Sequence, residues 1–204
     1  MKACPACGEP LFGWLLVESR EDSSPTDSVL LERCERCRLG VAANLALANS
    51  ASALLGSARQ IPNGRLELRV ANRASVQASL GGSHWAALEP KRRLYPTPQS
   101  LPGLAAAAGL EIEELSFARR GRGQAWMWQT ILNAFTFHEN FAREVRAGNL
   151  RPGGARGRLK FGIDTVVTVV AAVPVALVSA PLELLAALLG RGGELVAVAR
   201  RSQS

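Results

Sequence analysis

The alternation and clustering of apolar positions divides the chain into several short elements and one long apolar run. Residues 11–17 and 28–33 flank a polar segment, 19–27, and fit a β-hairpin. Residues 44–60 are rich in Ala and Leu and predict a helix, stopped by the turn signal Pro62-Asn63-Gly64. Residues 65–71 alternate apolar with polar and predict a strand. The segment 72–98 reads as loop, with a short helical stretch at 77–80. A helix follows at 99–108, stopped by Gly109 in the left-handed role. Strand patterns return at 110–117 and 194–200, and residues 126–146 carry apolar residues at helical spacing. Between them, 149–157 reads as a Gly/Pro/Arg linker. Residues 163–189 are almost uniformly apolar, and Thr165 to Leu182 is 18 residues without a charge. Three readings of this run stand side by side: a buried helix pair, a monotopic or re-entrant membrane segment, and a full span. A span needs about 20 apolar residues, and Pro174, Pro181 and Glu183 interrupt this one.

Chemistry enters with the cysteines. The four in the chain form two identical pairs, Cys4-Pro-Ala-Cys7 and Cys34-Glu-Arg-Cys37. Two CxxC knuckles supply four thiolates that close a tetrahedron around Zn²⁺ and leave no open position for water or substrate, so the site reads as structural. The competing readings are two disulfides or four idle thiols. No secretory signal is legible that would send them to an oxidising compartment. Gly8 and Gly40 are the residues expected to let the backbone turn toward the sulfurs.

The net charge is +7, carried by 21 Arg and 3 Lys. From Arg119 to Lys160, nine basic residues face only Glu139 and Glu144, directly before the apolar run. Placed there, the charge suits an anionic lipid surface. A nucleic-acid role is disfavoured because the cysteine-bearing segment is near neutral. The organisation expected is a zinc ribbon at 1–40, a core at 41–118, a basic amphipathic helix and linker at 119–160, apolar helices at 161–190, and a final strand and tail at 191–204.

Several motifs, taken in order, resemble one family. These are Pro62-Asn63-Gly64-Arg65-Leu66-Glu67-Leu68, Asn72 to Ser75, Gly82 and Trp85. Glu89-Pro90-Lys91-Arg92-Arg93-Leu94-Tyr95, Ser100-Leu101, Ala108-Gly109-Leu110 and the segment 190–200 follow. Together with the CxxC pairs they resemble the zinc-ribbon-headed class I S-adenosylmethionine-dependent methyltransferases, over most of the chain. The resemblance implies an α/β fold: a zinc-ribbon hairpin plus a reduced Rossmann-like remnant. In that remnant, strand 194–200 lies between 65–71 and 110–117 in a three-stranded mixed sheet with one open edge. It also implies substrate-side roles for Asn72, His84, Trp85, Arg93 and Tyr95. Arg93 stands where the family has a His, and an Arg cannot act as a general base. For His84, a packing or loop role competes with a chemical one. Only 24 residues separate Cys37 from Pro62, no GxGxG occurs, and a single βαβ unit needs about 30 residues. The donor-binding half is therefore missing, and S-adenosylmethionine binding by this chain alone is not expected. The functional expectation is a degenerate methyltransferase-like protein with structural zinc, cytoplasmic and membrane-associated. Its alternatives are a methyltransferase completed by a partner chain, and a membrane-associated zinc-ribbon interaction protein. An open sheet edge would invite a second copy or a partner strand.

Overall fold

The computed structural model describes residues 2–17, 28–45, 49–89, 91–119 and 121–202. The polar segment expected at 19–27, together with Pro90 and Arg120, lies outside them. The described chain is a mixed α/β fold with two four-stranded sheets and a long C-terminal apolar helix.

In the first sheet, β1 (Leu11–Val17) and β2 (Val29–Cys34) form the expected antiparallel hairpin, bulged between Gly13 and Leu15. Strand β3 (Gly40–Ala42) pairs with β2 and then with β6 (Leu94–Tyr95), so the cysteine-bearing hairpin is stitched to the middle of the chain. The second sheet contains β4 (Ala58–Ile61), β5 (Arg65–Ala71), β7 (Leu110–Phe117) and β8 (Glu194–Arg201), in the order β4-β5-β8-β7. The last strand lies between 65–71 and 110–117 as expected. Every ladder is antiparallel, however, so the sheet is not mixed.

It also has four strands where three were expected. Of the helix expected over 44–60, residues 46–48 lie outside the described residues; α1 covers Ser50–Leu55, and residues 58–61 pair with β5 instead. The cause is local. Asn63 and Gly64 both take positive φ, as a tight hairpin turn requires, and a tight hairpin turn needs a strand on each side. The edge expected to stand open is thus occupied by the chain itself.

Helices α2 (Val76–Gly81) and α3 (Leu101–Ala107) cover the sheets, with a 3₁₀ turn at Gly82–His84. Ser75 caps α2 by accepting from the Ala78 amide at 3.1 Å. Gly109, at φ 70°, ends α3 as expected.

The helix expected over 126–146 is two helices, α4 (Arg122–Asn133) and α5 (Phe141–Arg146). Asp164 explains the break. Its buried carboxylate accepts from the amides of Phe137 at 2.8 Å and His138 at 3.0 Å, which pulls the intervening backbone out of helical pairing. The apolar helices expected at 161–190 are one helix, α6 (Gly154–Leu188), which takes in part of the expected linker and runs through Pro174 and Pro181. Both prolines sit on its exposed side, so the missing N–H groups and the carbonyls they free lie away from the packed face.

One core cluster contains Cys4, Cys34, Cys37 and Leu39 together with Leu68, Leu101, Leu104 and Leu195, so both sheets share it. A second gathers Leu31, Trp85, Tyr95 and Trp126. The first CxxC knuckle rests on α3 so closely that a Cβ on Gly103 would come within 2.2 Å of the Ala6 carbonyl oxygen. Gly103→Ala is therefore expected to destabilise the protein by about 1–3 kcal/mol and to loosen the knuckle. Gly13→Ala, where a Cβ meets nothing within 4 Å, should not. Thermal melts of the two variants, with chelator challenge of each, check this.

Candidate metal centre and surrounding polar sites

The two knuckles are built alike. In the first, the Gly8 amide donates to the Cys4 carbonyl at 2.9 Å and the Cys4 amide donates to the Glu9 carbonyl at 2.7 Å. In the second, the Cys34 amide donates to the Leu39 carbonyl at 2.9 Å. Each has a left-handed residue four positions after its first cysteine: Gly8 at φ 78° and Arg38 at φ 58°. Gly40 therefore does not supply the turn of the second knuckle. It lies in β3, where a Cβ would sit 3.1 Å from the Trp14 ring and 3.2 Å from the Tyr95 Cβ, so its smallness serves packing. A buried Thr97 hydroxyl donates to the Cys37 carbonyl at 2.7 Å and ties the second knuckle to the start of α3.

All four cysteines are free thiols, and their Sγ atoms lie within 4.8 Å of one another. The shorter separations are Cys4–Cys37 at 3.6 Å, Cys7–Cys34 at 3.5 Å and Cys7–Cys37 at 3.6 Å. A tetrahedral zinc with Zn–S bonds of about 2.3 Å needs sulfurs about 3.8 Å apart. The cluster therefore fits a four-thiolate site for a soft divalent metal, and zinc is the cation whose geometry it matches. Burial pushes the Cys4 thiol up to about 11 and raises Cys37 as well. Burial acts the same way on Cys34, but hydrogen bonds from the Cys37 backbone and from the neighbouring thiols outweigh it and hold that thiol below its ordinary value. Without a cation the pocket thus favours protonated sulfur at two of its positions. Binding a metal ion must release those protons.

Of the expected substrate-side residues, Trp85 and Tyr95 pack against each other with ring centroids 5.8 Å apart, while His84 and Arg93 have separate, exposed settings. Asn72 is buried; its amide nitrogen donates to the Gly192 carbonyl at 2.8 Å and its amide oxygen accepts from the Ala74 N–H at 2.9 Å. Trp85 is buried and donates to Gln77 Oε1 at 3.3 Å. The Tyr95 hydroxyl accepts from the Glu89 amide and donates to the Glu89 carbonyl, both at 3.0 Å. These three side chains hold the fold together. His84 is exposed beside Glu139, with Nδ1 3.4 Å from Oε1. Arg93 contacts the Asn44 side-chain oxygen and lines a cleft of about 450 Å³.

Sequence reading missed a buried polar cluster under α6. Glu183 accepts from the Gly193 amide at 2.6 Å and from Gln77 Nε2 at 3.0 Å, and Gln77 also donates to the Gly123 carbonyl at 3.2 Å. The available signal was an acid standing alone in apolar sequence. Compared with known protein families, curated proteins and solved structures, the chain matches none.

Elemental analysis of protein purified without added chelator should find one zinc per chain. Cys37→Ser should lose the metal together with cooperative melting, because structural zinc contributes about 10–16 kcal/mol of apparent binding energy near neutral pH. Zinc release to a chromogenic chelator should rise as the pH falls, since protons compete for the thiolates.

Proposed function

We propose that this chain is a zinc-ribbon interaction protein that lies on the cytoplasmic face of a membrane, held there by α6. The observation that carries this reading is the orientation of α6. Its polar residues Asp164, Ser179 and Glu183 are buried against the protein, while Val166, Val170, Val173, Leu177 and Leu184 form a stripe on the opposite, exposed face. Leu177 and Val170 are 72% and 71% exposed. Only 6% of the most apolar 18-residue window is buried inside the protein. A helix facing water has the reverse arrangement. An apolar stripe this long on a helix whose polar side is already occupied fits hydrocarbon as its surroundings.

The packed face also argues for a helix lying along the surface. Protein covers one side of α6 from Asp164 to Ala187, so a transmembrane placement would carry α4 and its polar loop into the bilayer. At about 1.5 Å per residue, a 35-residue helix is some 52 Å long, well beyond a hydrocarbon core of about 30 Å. Exposed Phe135 beside α6, and the basic residues Arg156, Arg158 and Lys160 in its first turns, suit an interface with anionic lipid.

A second reading, descent from zinc-ribbon-headed methyltransferases with loss of the donor-binding half, draws support from one feature: β8 lies antiparallel between β5 and β7. On that reading the chain does not bind S-adenosylmethionine alone. Any methyl transfer would need a partner chain, and calorimetry with S-adenosylmethionine tests it.

For the membrane reading, the metal-loaded protein should float with anionic vesicles and resist salt extraction. Leu177→Lys combined with Val170→Lys, both at exposed positions, should abolish flotation and leave the melting temperature unchanged. A wild-type protein that stays soluble and monomeric without detergent and ignores vesicles would contradict the proposal.

A further inference from the structure

A cationic cleft lies on the sheet side of the molecule, floored by α1 and β5, with a volume of about 450 Å³. That is within the range of small-molecule sites, about 300–1,000 Å³. Five cations line it, Arg69, Lys91, Arg92, Arg93 and Arg122, against one carboxylate, Glu89. Glu89 is already divided: one oxygen accepts from Arg143 at 2.8 Å and the other from Arg92 at 3.3 Å. Outside the lining, buried Glu194 takes Arg122 at 2.9 Å, and Arg69 pairs with Glu67 at 3.1 Å, which leaves Lys91 and Arg93.

The remaining cations are uncompensated. Lys91 has no ion pair among the described residues, and the contact of Arg93 is to a neutral amide. The buried Arg92 Nε has no hydrogen-bond partner. Arg92 and Arg122 are held over the same indole, each with its guanidinium carbon 5.4 Å from the Trp126 ring centroid. One ring thus holds two guanidinium groups on the cleft wall; each shares a carboxylate, Glu89 or Glu194, yet Arg92 Nε still lacks an acceptor.

We propose that this cleft binds a phosphate-bearing ligand of small-molecule size, with Lys91, Arg92 and Arg93 donating to its oxygens and Arg122 closing the site. Guanidinium donors match phosphate geometry, and phosphate supplies the several acceptors that the unpaired donors lack. The chemistry is shared by a free phosphate ester and by a lipid headgroup. The site stands on its own residues and does not depend on α6 touching a membrane.

The test uses full-length, metal-loaded protein and two probes: inorganic pyrophosphate followed by calorimetry, and phosphatidylcholine vesicles with or without phosphatidic acid followed by flotation. Lys91→Gln with Arg93→Gln removes two exposed cleft cations. Arg59→Gln with Arg201→Gln removes the same charge elsewhere on the surface, and melts of both check folding. Each cleft cation removed should weaken binding about tenfold, whereas the control pair should change it little. A cleft-dependent loss with pyrophosphate identifies a free phosphate ester, and a loss confined to phosphatidic acid identifies a headgroup; either supports the site. Equal weakening in both double variants, or binding of neither probe, would overturn it.

Discussion

The seating of two buried carboxylates governs the architecture. Asp164 and Glu183 lie on α6, about 29 Å apart along its axis, and each is satisfied by donors from outside that helix. Asp164 takes the amides of the α4–α5 turn and a 2.6 Å contact with His138 Nδ1; Glu183 takes Gln77 and the amide that leads into β8. An unpaired buried carboxylate is costly, so these contacts fix the rotation of the helix about its axis. Once that rotation is fixed, the valine and leucine stripe has nowhere to go but outward. The unusual surface therefore follows from a satisfied interior, and no local misfit is needed to explain it.

The four-cysteine cluster and the sheets meet through a shared core. Cys37 is tied to Thr97, Ala6 rests on Gly103, and β3 pairs with β6. A cation that holds the knuckles consequently steadies α3, and with it the leucines beneath the second sheet. The cleft draws on the same framework, since Arg92 and Arg93 lead directly into β6, which Leu94 opens. The four-cysteine cluster is accordingly a fold element whose influence reaches the cleft lined by Lys91 and Arg93.

Some of this was legible in the sequence and some was not, for physical reasons. Strands 65–71 and 110–117 have the boundaries that their alternation implies, and the cysteine cluster follows from a spacing few other chemistries require. The helix expected over 44–60 is wrong at its C-terminal end: Ala and Leu favour helix, yet Asn63-Gly64 forces a hairpin and recruits 58–61 as a strand. The break between α4 and α5 was hidden because its cause, Asp164, is 27 residues from the Phe137 amide it binds. The left-handed Arg38 was hidden by the expectation that glycine would take that role. Basic residues spread from Arg69 to Arg122 gave no sign that they meet at one cleft, because the meeting depends on sheet order and on one tryptophan.

The central claim is that α6 presents its apolar face to lipid and its polar face to protein. Nitroxide side chains, introduced one at a time as genetically encoded residues from 164 to 184 so that the four cysteines stay untouched, test it most directly. In vesicle-bound protein, accessibility to oxygen should oscillate with a period of about 3.6 residues. Maxima are expected at 166, 170, 173, 177 and 184, and minima at 164, 179 and 183, with low accessibility to a water-soluble nickel reagent at the maxima. Uniform oxygen accessibility around the helix, or nickel accessibility at 170 and 177 equal to that of a surface loop, would contradict the account.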